Sequence, residues 1–174
     1  MSPIHLHAQD GFFSDARISG AGNLTIGVQP AIYTNTDDFM MIFRGGYGVM
    51  PGMDLFLKVG VLGDENYVGA HIQYLLATDG RIAASMLAGV QNYWDPGLKA
   101  GFNMSVRLTA FSIYCGLLYQ PYFGDRSTQG LLVPIGLEIP VLSNQSRLIM
   151  EVNVPANSDG EPFEMISFGL IFRL

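Results

Sequence analysis

The side chains able to do covalent or acid–base chemistry are few, because the chain holds only three histidines and one cysteine. His71 is the one histidine within strand-like sequence, two residues from Gln73, while Ser85, Ser105 and Ser112 lie on other segments. A nucleophilic hydroxyl needs a base and an orienting group within reach. A lone histidine among scattered serines fits a hydrogen-bonded interior better than a hydrolase. His5 and His7 offer two imidazoles without a third ligand, short of the set that holds a metal. Asp37-Asp38 and Asp64-Glu65 pair carboxylates, but no loop histidine accompanies them, so solvated loop charge accounts for both. Gly45-Gly46-Tyr47-Gly48 is glycine-rich yet opens no helix, so it is no phosphate loop. Cys115 has no second cysteine to bond. The expectation is a protein without catalytic residues, cofactor or metal.

Composition narrows the classes further. Of 174 residues, 49% are hydrophobic but only 14% are charged, roughly half the usual share of a soluble domain. The net charge of −6 with nine basic residues excludes nucleic acid as a partner, since a clustered Lys/Arg footprint is absent. The length fits one domain, and 21 glycines with 11 phenylalanines and 8 tyrosines favour β structure. Residues 1–15 have neither a basic head nor an apolar run, so no signal peptide is expected; an exported protein would be present here in mature form. The longest uncharged stretch, 108–124, carries Thr109, Ser112, Gly116, Gln120 and Pro121, which rules it out as a spanning helix of about 20 apolar residues.

The elements that must position these residues are strands. In 54–62, Leu55, Leu57, Val59 and Val61 alternate with Asp54, Phe56, Lys58 and Gly60. In 98–109, Leu98, Ala100, Phe102, Met104, Val106 and Leu108 alternate with Lys99, Gly101, Asn103, Ser105 and Arg107. That period of two marks strands whose faces meet different surroundings. It recurs over 67–76, 131–141 and 147–155, and less tidily over 24–33, 39–49, 82–94, 111–123 and 165–174, giving about ten strands. Their lengths of nine to thirteen suit tilted membrane strands, which need about 9–11 residues, better than globular strands near 5–6. Met50-Pro51-Gly52, Thr78-Asp79-Gly80, Thr109-Ala110 and Ser143 to Ser146 read as short turns at one end. Longer loops at the other end gather Asp37, Asp38, Asp64, Glu65, Asp95, Asp125, Asp159 and Glu161, with Arg126 as their only base.

Alternation is common to soluble and membrane sheets; the quality of the faces separates them. The aliphatic face of the last eight strands carries one clearly polar residue, Asn92, whereas the opposite face mixes scattered charge with glycines such as Gly46, Gly60, Gly89 and Gly136. A water-facing surface carries about 25–35% charged residues, and crowding or bending inside a closed barrel explains the glycines. The polar face is therefore expected to line a lumen, with Arg44, Asp54, Lys58, His71, Arg81, Lys99, Arg107, Glu138, Arg147, Glu151, Glu164 and Arg173 projecting into it. Outward aromatics are expected at two membrane interfaces: Phe39, Trp94, Tyr119 and Phe123 near the acidic loops, and Tyr47, Tyr74, Phe111 and Phe172 near the turns.

With an even number of strands, short turns on one side, longer loops on the other and a final amphipathic strand running Ile166, Phe168, Leu170, Phe172, Leu174, the chain resembles the small outer-membrane β-barrels of bacteria. Its last residue, Leu174, departs from the aromatic terminus common among them. The resemblance implies an all-β, closed, antiparallel, up-and-down transmembrane barrel, for which eight to twelve strands are compatible. It also implies outer-membrane location, contact with membrane lipids, and turns and termini facing the periplasm. Residues 23–174 are expected to form the barrel, and residues 1–22 a periplasmic tail, a lumen plug or a partner contact. A barrel near eight strands is filled by its own side chains, and short loops leave little receptor surface. The leading functional expectation is a scaffold or accessory element of an envelope assembly with protein partners; a narrow channel with mild anion preference comes second, and a soluble ligand-binding barrel third.

Overall fold

The computed structural model describes residues 15–35, 38–63, 66–124, 127–141 and 145–174. His5, His7, Asp37, Asp64, Glu65, Asp125, Arg126, Ser143 and Asn144, all considered above, lie outside them.

Ten strands follow one another along the chain: β1 (Leu24–Tyr33), β2 (Asp38–Met50), β3 (Met53–Val61), β4 (Tyr67–Thr78), β5 (Ile82–Asn92), β6 (Pro96–Arg107), β7 (Ser112–Pro121), β8 (Gln129–Val141), β9 (Ser146–Pro155) and β10 (Met165–Arg173). Each pairs antiparallel with its sequence neighbours, and β10 closes on β1 through pairs such as Val28 with Leu170 and Ala31 with Ser167. Closure removes the two unpaired edges that an open sheet would present. The architecture is thus the closed up-and-down barrel expected from the alternation, with ten strands.

The turns show why the chain reverses where it does. At β4–β5 the Asp79 carboxylate accepts the N–H groups of Arg81 at 3.0 Å and Ile82 at 2.6 Å, and Gly80 takes φ +90°. Only glycine adopts that left-handed backbone at little cost. Those two backbone donors hold the Asp79 carboxyl below its usual pKa. At β6–β7, Leu108 donates to the Phe111 carbonyl at 2.8 Å around a two-residue loop, and neither Thr109 nor Ala110 has positive φ. The register survives there without primed-turn residues.

One connection was not legible as an element. Between β9 and β10 the chain forms a short 3-10 helix, η1 (Ser158–Phe163), which buries Pro162 and Phe163 under the loop end of the barrel. Proline inside so short a helix leaves few backbone bonds, and packing of Phe163 holds it in place.

The two faces of the sheet are chemically opposite. Leu57 is 58% exposed, Val90 57%, Val68 56% and Phe43 50%, and every strand contributes aliphatic or aromatic side chains to this outer belt. A contiguous apolar surface on that scale is not stable against water. Inside lie polar and charged side chains together with tyrosines, a core inverted relative to a soluble protein.

Candidate functional site

The lumen is the only place where the polar residues of all ten strands can meet, and it is filled in three layers. The layer nearest the turns is charged. Arg44, Asp54 and Glu138 are buried there and Arg147 is half-buried, with its guanidinium donating to the Glu138 carboxylate. Arg44 lies over the Phe56 ring at 4.8 Å, and Phe56 stacks on His71 with ring centroids 5.0 Å apart.

Residues 15–23 cross this layer as a strap. The Ser19 N–H donates to Asp54 at 2.6 Å, the Asp15 N–H to Glu138 at 3.4 Å, and Gln73 donates through Nε2 to the Asp15 carbonyl at 3.2 Å. Arg17 reaches across to Ser105 Oγ at 3.3 Å and to the backbone carbonyl of Gly80 at 3.2 Å. The strap can lie this close because position 48 lacks a Cβ, which would overlap the Gly20 carbonyl, and the Gly22 N–H donates to the Gly48 carbonyl at 2.8 Å. What remains open around the strap is a cavity of about 40 Å³, room for on the order of a few waters.

Asp15 is the titratable group through which the strap responds to pH. Burial, then the neighbouring Glu138 carboxylate, push its pKa up from 3.8 to about 6, against the opposing pull of Arg147 and Arg17. An acid whose pKa is raised on docking binds its proton more tightly in the docked state, so ionisation disfavours docking. Strap docking is therefore fully relieved of that penalty below 3.8 and weakens as pH rises through about 6. Amide exchange at Arg17 and Ser19 should slow as pH is lowered from neutral, after correction for intrinsic exchange. Asp15→Asn should abolish the dependence.

The middle layer buries two lysines. Lys58 and Lys99 are 1% and 2% exposed, and Lys99 Nζ donates to the Tyr67 hydroxyl at 3.3 Å, which donates on to Gln91 at 3.4 Å. Tyr114 donates to Glu151 at 2.7 Å, its ring lying where a side chain at Gly136 would otherwise stand. Ser85 and Ser105, the serines on the histidine's face, take hydrogen bonds from Gln73 and Arg17 as part of this filling.

The layer under the acidic loops is aromatic. Trp94 stacks on Tyr122 at 5.3 Å and on Phe163 at 5.9 Å, and meets Tyr93 edge-on at 4.7 Å. Tyr33, Met40, Ile42 and Met165 pack on one side of this group, and Leu118, Leu132 and Ile149 on the other.

Four positions read from the alternation lie elsewhere. Trp94 does not face lipid: β5 ends at Asn92, so the alternation no longer applies two residues later and the ring turns into the barrel mouth. Arg81 and Arg107, beyond or at strand ends, are exposed on the turn rim rather than lining the lumen. Glu164 sits at the loop rim, where it accepts from Asn35 Nδ2 at 3.3 Å. Of the remaining charged positions, Arg44, Asp54, Lys58, His71, Lys99, Glu138 and Glu151 are buried inside, and Arg147 and Arg173 are half-buried near the turns. Phe39, Tyr47, Tyr74, Tyr119, Phe123 and Phe172 are exposed outside, and Phe111 is half-buried at the β6–β7 turn. Of residues 1–22, expected as a periplasmic tail, a lumen plug or a partner contact, the described residues 15–22 lie in the lumen as the strap, while the Phe163 contact was not read from the sequence. The Pro162-Phe163 pair in an otherwise polar loop was the one available signal for the latter.

No family model matches the chain, and no curated protein matches it. Solved structures do. A KdgM porin superposes with a TM-score of 0.58 at 9% identity, covering 85% of this chain and 98% of that one. An outer membrane channel from Pseudomonas putida F1 gives 0.57 at 10% identity over 97% of this chain and 100% of the other. A structure from the de novo design of transmembrane β-barrels gives 0.51 at 12% identity, covering 91% of this chain and 100% of that one. At such identities the likeness is one of fold, and the fold is that of transmembrane β-barrels.

Proposed function

We propose that this chain is an outer-membrane β-barrel that does not conduct, and that it serves as a structural or accessory element of an envelope assembly. The occlusion of the lumen carries the proposal: strap and ion pairs close the turn end, and the aromatic stack closes the loop end. A lumen packed in this way works as a core, leaving the lipid-facing surface and the rims for contact with other molecules. The porin and outer membrane channel among its structural neighbours support the outer-membrane address. His71 stacks on Phe56, and Ser85 and Ser105 accept hydrogen bonds from Gln73 and Arg17.

In planar bilayers the purified protein is expected to give no conductance steps, and purification from native membranes in mild detergent is expected to bring other subunits along. Steady steps whose ion selectivity changes with Lys99→Met would overturn the reading.

A narrow channel stands as the second reading for one reason. At its two ends the lumen is closed in part by segments outside the ladders, the strap and η1 with its neighbouring loops, whose departure leaves strand pairing intact, whereas Lys58, Tyr67, Lys99 and Tyr114 of the middle layer belong to the strands themselves. That reading expects conductance to appear when the strap is undocked, and the same recording distinguishes the two.

A further inference from the structure

On the turn rim, the β6–β7 turn and the ends of β8, β9 and β10 enclose a cleft of about 410 Å³. Three arginines line it, Arg107, Arg147 and Arg173, and among the described residues no Asp or Glu does. Arg147 is anchored from behind by Glu138, whose side chain is 5% exposed and lies outside the cleft lining. Arg107 and Arg173 form no hydrogen bond or ion pair through their side chains with the described residues. The chain as a whole is acidic, with nine bases against fifteen acids, so three arginines on one wall are not a by-product of composition, although Glu138, Asp54 and Asp15 act on Arg173 from the lumen side.

Like charges so gathered repel one another, and an anion in the cleft removes that penalty. The guanidinium fork matches two oxygens of a phosphate, and Ser112, 6% exposed on the same wall, offers a hydroxyl besides. The walls also have an apolar part, formed by Leu108, Ala110 and Phe111. A second cleft of about 500 Å³ on the other flank of the turn, which Asp79 also lines, sets Arg81 and Arg107 beside Ile82, Val106 and Leu108, each of which is more than 40% exposed on the outer belt. Cationic heads directly above lipid-facing side chains stand at the level where headgroups meet water.

We propose that the turn-rim cleft built on Arg107, Arg147 and Arg173 is a binding site for a phosphoryl group, carried either by an anionic phospholipid of the adjoining leaflet or by a soluble phosphate compound. Arg107 and Arg173 supply the free forks, Arg147 is held in place by Glu138, and the β6–β7 turn provides the apolar shoulder.

The test uses the full chain folded in a non-ionic maltoside detergent. Inorganic phosphate, short-chain phosphatidylglycerol and short-chain phosphatidylcholine are titrated at constant ionic strength, and affinity is read by calorimetry and by the shift in thermal midpoint. Phosphate or phosphatidylglycerol should stabilise the protein where chloride at the same ionic strength does not. The double variant Arg107→Gln, Arg173→Gln should weaken binding by roughly tenfold or more for each charge-assisted contact removed. Arg107→Lys, which keeps the charge and loses the fork, should fall between. Binding of phosphatidylglycerol without inorganic phosphate assigns the site to lipid, and the reverse assigns it to a soluble compound. An equal response to chloride, or an affinity unchanged in the double variant, would overturn the proposal.

Discussion

Truncation of Phe163 to alanine is expected to lower the stability of the folded barrel by roughly 3–5 kcal/mol, the range for removing a fully buried aromatic ring from a packed core. Phe163 is wholly buried, stacks on Trp94 and Tyr122 with centroids 5.9 and 6.2 Å away, and lies against Gly130, where even a Cβ would crowd its ring. Its removal takes one plate out of the loop-end stack and loosens η1, which then keeps only polar ties such as the Gln129 N–H to Asp159 at 3.1 Å and the Leu131 N–H to Asn157 at 2.9 Å. Urea unfolding in detergent micelles measures the loss. Trp94 is the only tryptophan in the chain, so its emission reports the same site and should shift to the red as water enters. A change within about 0.5 kcal/mol, the size of a typical surface substitution, would contradict a packed loop-end layer.

Leu57→Arg is expected to cost about 2–4 kcal/mol, the penalty for a cation on the lipid face near the bilayer midplane. Leu57 is the middle residue of β3, paired with Gly45 and Ala70, and is 58% exposed on the outer belt. Its neighbour Lys58 is 1% exposed, inside the lumen. One strand thus carries a native cation on one face and should reject a cation one residue away on the other. Were the outer face in water, the substitution would be neutral or would improve solubility. Unfolding in lipid vesicles, with Leu57→Phe as an apolar control, separates the two.

The strands were legible because each of their faces meets one environment along its whole length. The alternation of Leu55, Leu57, Val59 and Val61 against Asp54, Phe56 and Lys58 is the imprint of lipid on one side and lumen on the other. The same rule failed where the ladder stops. Trp94 follows β5 by two residues, Arg107 ends β6 and Arg81 precedes β5, so parity no longer fixed where those side chains point. Which of tail, plug or partner contact residues 1–22 would form was illegible for a different reason. The strap's position depends on Asp54, Gln73 and Glu138, which come from three separate strands and meet only after closure. No local period in residues 15–23 could carry that information. Of the candidate site, the inward polar residues followed from alternation, but that they form a closed filling with the strap and the aromatic layer followed only from their assembly.

The central claim is that the aliphatic face of the ten strands lies in the bilayer. Cys115 tests it with no further substitution, because it is the only cysteine and is exposed on the outer face of β7, opposite Met104 and Ile135. A nitroxide attached to Cys115 in lipid vesicles should collide readily with dissolved oxygen, which concentrates in the hydrocarbon, and scarcely with a water-soluble nickel chelate. The opposite order of accessibility would place that face in water and contradict the account.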